Sequence, residues 1–364
     1  MAIDKIESAG LATNTNQPNF RNIIINGDMS QAQRATSASS ISSSGYQTVD
    51  RFINEMDAAG TWTISQSTTV PSGQGFATSL KMDCTTANGS LSAGSYNIFS
   101  QRLEGQNLQY LKFGTSSAES LTLSFWVRSN KTGTYTLEIV SFATSKSQSQ
   151  TYTISSADTW EKKTVTFTGD TATAIANDNA RSLNLFFWLA AGTTYTSGTL
   201  NTSFNTKTDA NRVSSSQVNL ADSTSNEWYV TGVQLEAGTS ASDFEFLPVD
   251  ANLLRCQRYF QKIDGSGSNT VMTIMHAIAS GTAIGHFPAI VEFRANPTLS
   301  STGTFNAWTA DANNNAPGSI ALYSASKTQN GFNFTRASGG TLSSGNASGL
   351  YTAAAATVLF DAEL

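Results

Sequence analysis

Residues 121–129, Leu-Thr-Leu-Ser-Phe-Trp-Val-Arg-Ser, alternate apolar and polar side chains. Successive side chains of a β-strand point to opposite faces, so the alternation predicts a strand with one buried and one solvated face. The predicted core face comprises Leu121, Leu123, Phe125 and Val127, and similar alternation recurs at Tyr135, Leu137 and Ile139 and at Val165 and Phe167. The middle of the chain is therefore expected to be an antiparallel sheet structure with one wet face per strand.

The flanking sequence extends this architecture. Residues 21–250 hold many short strand patterns separated by clusters of Gly, Ser, Thr and Asn, which is typical of an antiparallel β-sandwich. Residues 1–20 lack a sustained period and are expected to form an extended arm. Residues 269–364 resume strand patterns and predict a second, smaller β domain, with strands near Val271–Met275, His286–Phe293, Ser319–Tyr323 and Phe332–Thr335.

A change of period separates the two β regions. Over residues 251–263, after Pro248, apolar side chains recur at helical spacing, which predicts a short helix packed on the sandwich. A Gly-Ser-Gly-Ser break at 265–268 follows, so residues 251–268 are expected to be a helix and a joint. The apolar stripe comprises Leu253, Cys256, Tyr259, Phe260 and Ile263.

Charge and composition exclude several function classes. The 364 residues include 13% charged side chains, against roughly 25% in ordinary soluble domains, and the formal net charge is -5. No basic patch is apparent, so binding to nucleic acid is not expected. Asp4, Lys5 and Glu7 interrupt the place where a secretion signal needs an apolar run, and no stretch approaches the ~20 apolar residues of a membrane span. Release by cell lysis is therefore expected.

Catalytic and metal-binding motifs are absent from the sequence. Cys84 and Cys256 are expected to be two buried free thiols, with a disulfide as the alternative, and His276 and His286 lack supporting ligands for zinc. There is no GxSxG, HExxH or P-loop motif and no β-helix repeat. Neither an enzyme nor a cofactor is expected, although carboxylates recur at Asp28, Asp50, Glu104, Asp158, Glu161, Glu236 and Glu245.

Several segments, in order along the chain, resemble one family. They are Asn22–Arg34 (NIIINGDMSQAQR), Gly45–Phe52 (GYQTVDRF), Trp228–Gly238 (WYVTGVQLEAG), Cys256–Phe260 (CQRYF) and Phe293–Leu299 (FRANPTL). The chain resembles bacteriophage tail-fibre and virion appendage proteins that carry a jelly-roll domain similar to carbohydrate-binding modules. This resemblance implies an all-β, jelly-roll-like sandwich at 21–250, a location in the virion and an N-terminal arm that docks onto other virion proteins. It also implies a homotrimer and a host-surface glycan as ligand.

The same resemblance raises the question of a structural calcium ion. In related jelly rolls an NGDFE-like opening and an Asp-Asp pair in the last strand supply the oxygen ligands. Here Ser30 stands where the glutamate would be, and Thr231 and Gly232 replace the two aspartates. Because calcium requires several hard, mostly anionic oxygens, no metal site is expected.

Aromatic side chains are the candidates for sugar contact, because an aromatic face can stack on a sugar ring. Trp62 shares one face of a predicted strand with Ile64, and Trp188 lies in a long apolar run, so both are expected in the core. The alternation places Trp126 on the wet face, whereas its apolar neighbours favour burial. Phe204 and Tyr195 lie in a polar, loop-like stretch. Trp308, with Asp311 to Asn315 after it, resembles a loop tip, although a trimer contact and a solvated turn are alternatives. The candidate ligand-binding residues are Trp308, Asn313, Asn314, Asn315 and Tyr195.

Together these observations predict a virion fibre or appendage protein that attaches to the host surface, assembled in the host cytoplasm. A glycan-depolymerising tailspike and a purely structural decoration protein are the alternatives.

Overall fold

The computed structural model describes residues 20–265, 270–309, 312–337, 342–352 and 354–364; for Thr309 and for residues 312–316 it describes the backbone. The predicted arm, apart from Phe20, and most of the Gly-Ser joint lie outside the described residues. The described chain forms two compact units, one up to Asn252 that also includes Leu364, and one over Leu253–Glu363.

The first unit is built from two antiparallel sheets. Sheet 1 has the strand order β1-β3-β4-β12-β6-β9 and sheet 2 the order β11-β8-β7-β10-β5-β2. The strands are β1 Ser37–Ile41, β2 Phe52–Asp57, β3 Thr61–Ser67, β4 Ser79–Thr86, β5 Tyr96–Glu104, β6 Leu121–Ser129, β7 Gly133–Ser141, β8 Lys146–Ile154, β9 Glu161–Phe167, β10 Arg181–Ala191, β11 Asn205–Thr206 and β12 Glu227–Ala237. Short helical turns lie at Gly105–Leu111, Thr193–Thr196 (α1), Asp209–Asn211 and Leu220–Asp222.

Side chains between the two sheets form the core of this unit. All four residues of the predicted core face in β6 are fully buried, as is Trp62. Phe99, Phe187 and Trp228 contact one another with ring centroids 5.8 to 6.3 Å apart. Aromatic burial of this kind supplies much of the apolar area that stabilises a sandwich.

The helix predicted over residues 251–263 is shorter than expected. It covers Val249–Gln257 (α2), and Phe260–Gly265 instead forms strand β13, paired with β21 from Phe260 opposite Asp361 to Gly265 opposite Ala356. The apolar spacing is compatible with either conformation, and pairing with a strand about a hundred residues away decides between them. The prediction is thus right for the first half of the segment and wrong for the second.

The second unit contains a closed barrel with the strand order β14-β15-β19-β18-β17-β20 and a three-stranded sheet β13-β21-β16. The strands are β14 Val271–Ala279, β15 Thr282–Pro288, β16 Thr298–Thr302, β17 Phe305–Thr309, β18 Ala312–Ala325, β19 Gln329–Arg336, β20 Ala347–Thr352 and β21 Ala356–Asp361. The strand predicted over His286–Phe293 ends at Pro288, which lacks the N–H that would continue the ladder. The predicted fold class, an all-β jelly-roll-like sandwich followed by a short helix and a smaller β domain, is confirmed.

Candidate binding site

Trp308 lies on the outside of the barrel and is 55% exposed. It belongs to strand β17 and not to a loop tip, so that part of the sequence interpretation is wrong. The strand register places Trp308 opposite Gly349 of β20, and Gly349 opposite Ile274 of β14. Ile274 is also largely exposed. We call these three residues the Trp308 strip.

The middle residue of the Trp308 strip leaves space beside the indole. A Cβ atom at Gly349 would meet one atom within 4 Å, the Cβ of Trp308 at 4.0 Å. The backbone beneath the indole is fixed, because the Ser348 hydroxyl donates a 2.7 Å hydrogen bond to the Trp308 carbonyl. The three strands of the strip contain no Asp, Glu, Lys or Arg. The result is an exposed aromatic side chain beside a buried glycine whose missing side chain leaves a small uncharged space, which we call the Gly349 slot.

Asn313, Asn314 and Asn315 belong to strand β18 and are therefore not a free turn. The register pairs Ala307 with Ala316 and Thr309 with Ala312, and shifts between these two pairs. The backbone of the three asparagines consequently forms an irregularity opposite Trp308. The predicted turn is wrong, because the pairing of β17 with β18 makes this segment part of a strand.

Tyr195 occupies a different surface, the outer face of sheet 2. It lies in α1, half-buried, with its ring 5.7 Å from that of Tyr96 and 5.3 Å from that of Trp188. Trp188 is fully buried as expected, but in a cluster on the outer face of sheet 2, apart from the core between the sheets. Burial raises the pKa of Tyr195 above its ordinary value. Tyr195 is therefore an edge of a closed aromatic cluster with limited free ring surface.

A buried ion pair lies beside the Tyr195 cluster. Arg212 Nε lies 3.0 Å from Glu138 Oε1, Arg212 Nη2 lies 3.0 Å from Oε2, and Trp188 Nε1 donates to Oε2 at 3.0 Å. Burial opposes the charged guanidinium, but the attraction of Glu138 and its hydrogen bonds hold the pKa of Arg212 above its ordinary value. Glu138 and Arg212 are 74 residues apart, and no local sequence pattern relates them. The pair fixes the segment around residue 212 onto sheet 2.

The NGD turn at residues 26–28 does not match a calcium site. The side-chain amide of Asn252 donates to Asp28 Oδ1 at 3.2 Å and to Ser30 Oγ at 3.0 Å, so it takes up oxygens that a cation would need. The Thr231 hydroxyl donates to the carbonyls of Thr78 at 2.8 Å and of Asp28 at 3.3 Å. Across the described ranges, no group of three or more His, Cys, Asp or Glu side chains could hold a metal ion.

Two of the carboxylates noted in the sequence bind the chain's own backbone. Glu236 accepts hydrogen bonds from the amide and hydroxyl of Ser242, at 2.7 and 2.8 Å. Glu245 accepts from the amides of Asn22 and Phe20, at 3.0 and 3.1 Å. Cys84 and Cys256 are both buried and form no disulfide, and burial raises the pKa of Cys84 to about 11. No helix in the described part of the chain is long and apolar enough to cross a membrane.

Comparisons with known proteins give low similarity. No family model matches the sequence, and no curated protein matches it. A solved tailspike protein 4 domain of bacteriophage CBA120, described as enzymatically active, is similar at 13% identity and a TM-score of 0.32, over 60% of this chain and 22% of that chain. A putative sugar-binding protein from Bacteroides thetaiotaomicron is similar at 13% identity and a TM-score of 0.32, over 59% of this chain and 99% of that chain. A family 11 carbohydrate-binding module from Clostridium thermocellum, in complex with a mixed-linked tetrasaccharide, is similar at 10% identity and a TM-score of 0.28, over 52% of this chain and 91% of that chain.

Proposed function

We propose that this chain is a bacteriophage virion protein, a tail fibre or appendage, that attaches to the host surface by binding a neutral glycan at the Trp308 strip. The observation that carries the glycan part is the exposed Trp308 indole beside the Gly349 slot, on barrel strands without formal charge. A sugar ring presents apolar C–H faces and polar edges, and an exposed indole with neutral polar neighbours suits both.

The proposed virion location rests on the sequence segments that resemble tail-fibre proteins. In this proposal residues 1–20 dock onto other virion proteins, and the second unit contacts the host. In this proposal the protein binds a glycan without cleaving it; two of the carboxylates noted in the sequence, Glu236 and Glu245, already accept hydrogen bonds from the chain's own amides. Loops and walls on rigid β scaffolds commonly carry such binding.

Substitutions in the strip test this assignment. Trp308→Ala removes the stacking surface, and Gly349→Thr places a branched side chain in the slot at ordinary contact distance from Trp308. We expect both variants to lose glycan-array binding by about tenfold or more and to compete poorly with phage adsorption. Tyr323→Ala is the matched control, because Tyr323 is 64% exposed on another strand of the same barrel.

Circular dichroism and thermal melting establish that each variant is folded. Unchanged glycan binding and adsorption in both folded strip variants would refute the assignment of the site. Tyr195→Ala then becomes the next variant to test, because Tyr195 is the candidate on the first unit.

One alternative function makes a distinct prediction. A glycan-depolymerising tailspike would release new reducing ends from host envelope polysaccharide, whereas the proposed protein binds and releases none. A structural decoration protein would neither bind the glycan nor release reducing ends from it.

A further inference from the structure

The outer face of sheet 1 carries a second aromatic surface, in the first unit and separate from the Trp308 strip. Strand register places Trp126 of β6 opposite Lys162 of β9, and Arg128 of β6 opposite Tyr229 of β12. Trp160 immediately precedes β9, and its ring centroid lies 6.2 Å from that of Tyr229. Trp126 and Trp160 are both half-buried. We call these five residues the Trp126 platform.

The platform is held rigidly before any ligand arrives. The Arg128 guanidinium lies 5.0 Å above the Tyr229 ring, and its Nε and Nη2 donate to the carbonyl and carboxylate of Asp158, both at 2.9 Å. Asp158 adopts a left-handed conformation with φ of 57°, and its amide donates to the Ser129 carbonyl at 2.9 Å. The turn before Trp160 is therefore fixed to sheet 1, and a ligand would not have to order it.

Charges around the platform are largely matched in pairs. Arg128 pairs with Asp158, and Lys163 pairs with Glu161. Lys81, next to Tyr229, pairs with Glu227. Lys162 differs, because it is exposed and no described carboxylate lies within ion-pair distance of it. A cation directly across one strand spacing, about 4.8 Å, from a half-exposed indole is thus available to an external anion.

We propose that the Trp126 platform binds an acidic saccharide, one whose sugar rings carry carboxylates. The Trp126 indole stacks on the C–H face of one ring, and the Lys162 ammonium pairs with that ring's carboxylate. Charge complementarity at Lys162 favours an anionic sugar here, in contrast to the uncharged Trp308 strip.

Titration calorimetry of the full chain with tetragalacturonic acid tests the proposal. We expect measurable binding that weakens at raised ionic strength. The methyl-esterified tetrasaccharide keeps the rings and removes the charges, and it should bind about tenfold more weakly or worse. Equal binding of the acid and its ester, or no binding of the acid, would overturn the proposal.

Variants assign the binding to the platform. Lys162→Gln and Trp126→Ala should each reduce affinity for tetragalacturonic acid by about tenfold or more. Lys207→Gln is the matched control, since Lys207 is an exposed lysine of the same unit outside the platform. Wild-type affinity in Lys162→Gln, with the fold verified by circular dichroism, would contradict the site.

The two glycan-binding proposals can be tested independently of each other. Trp308→Ala should leave tetragalacturonic acid binding unchanged, and Lys162→Gln should leave binding at the Trp308 strip unchanged. Loss of acid binding in Trp308→Ala would contradict the assignment to the platform.

Discussion

At the scale of single residues, the ion pair of Glu138 and Arg212 is buried in the first unit, so removing one partner should cost stability. Arg212→Met leaves the Glu138 carboxylate buried without its cation, which should lower the free energy of unfolding by about 3–5 kcal/mol. Urea unfolding at neutral pH measures the change. Lys112→Met is the control, because Lys112 and Glu119 form an exposed pair, 54% and 39% accessible, that should contribute about 1 kcal/mol or less.

A second variant separates the charge from the packing. Adding Glu138→Gln to Arg212→Met removes the orphaned charge and should recover part of the lost stability. If Arg212→Met is no less stable than Lys112→Met, the pair does not stabilise the unit as described.

The sequence predicted the burial of a residue correctly where the burial depends on alternation within one strand. The alternation in β6 identified its core face, and the strand face that Trp62 shares with Ile64 identified the burial of Trp62. For Trp126 the two signals disagreed, and the alternation was the correct one, because the face of a strand residue depends on its parity and not on the hydropathy of its neighbours. The Glu138 and Arg212 contact had no signal, since chain folding alone brings the two residues together.

At the scale of elements, strands β4 and β12 share a polar pair with a pH dependence. Burial opposes the charge of Glu227, but hydrogen bonds from Lys81 and Tyr229 outweigh it and lower the pKa of Glu227. Because the pKa of Glu227 is lower in the folded state than its unfolded-state value of 4.5, the ionised carboxylate stabilises the fold at pH values above 4.5. This contribution to the free energy of unfolding is lost as the pH falls through the folded-state pKa.

Denaturant unfolding between about pH 6 and about pH 3 tests this assignment. The wild type should lose up to about 1 kcal/mol more stability over that range than Glu227→Gln. Identical pH profiles for the wild type and Glu227→Gln would exclude the proposed linkage.

Element boundaries were predictable only where the local period was unambiguous. Residues 260–263 continued a helical spacing and yet lie in β13. The Asn-rich stretch after Trp308 had the composition of a turn and yet forms the start of β18. Phe260–Gly265 pairs with β21, and the asparagines lie between the pairs that join β18 to β17 at Ala316 and Ala312. Neither partner strand is visible to a local sequence pattern. The candidate site was therefore predicted as a neighbourhood, while its slot, which depends on Gly349, was not.

At the scale of the whole molecule, we predict a homotrimer. Besides the Trp308 strip, the barrel exposes Ile278 and Leu322. Apolar exposure of this extent, with few charges, is commonly covered by another protein surface. Light scattering should give three times 38.6 kDa, and a stable monomer at micromolar concentration would contradict the prediction.

The same measurement decides the competing role of Trp308. If Trp308→Ala reduces the mass to that of one chain, Trp308 is an assembly contact and the proposed glycan site is wrong. If the mass is unchanged and glycan binding is lost, the indole acts at the host surface.

Closure of the barrel affects how copies of this protein can associate. Among the described residues, each of the six barrel strands has a neighbouring strand on both sides, so none of the six is an edge strand. In the proposed virion protein many copies would stand close together, and a free strand edge on one copy could pair with the same edge of the next. The closed barrel offers no such edge in the unit that exposes Trp308 on its outer surface.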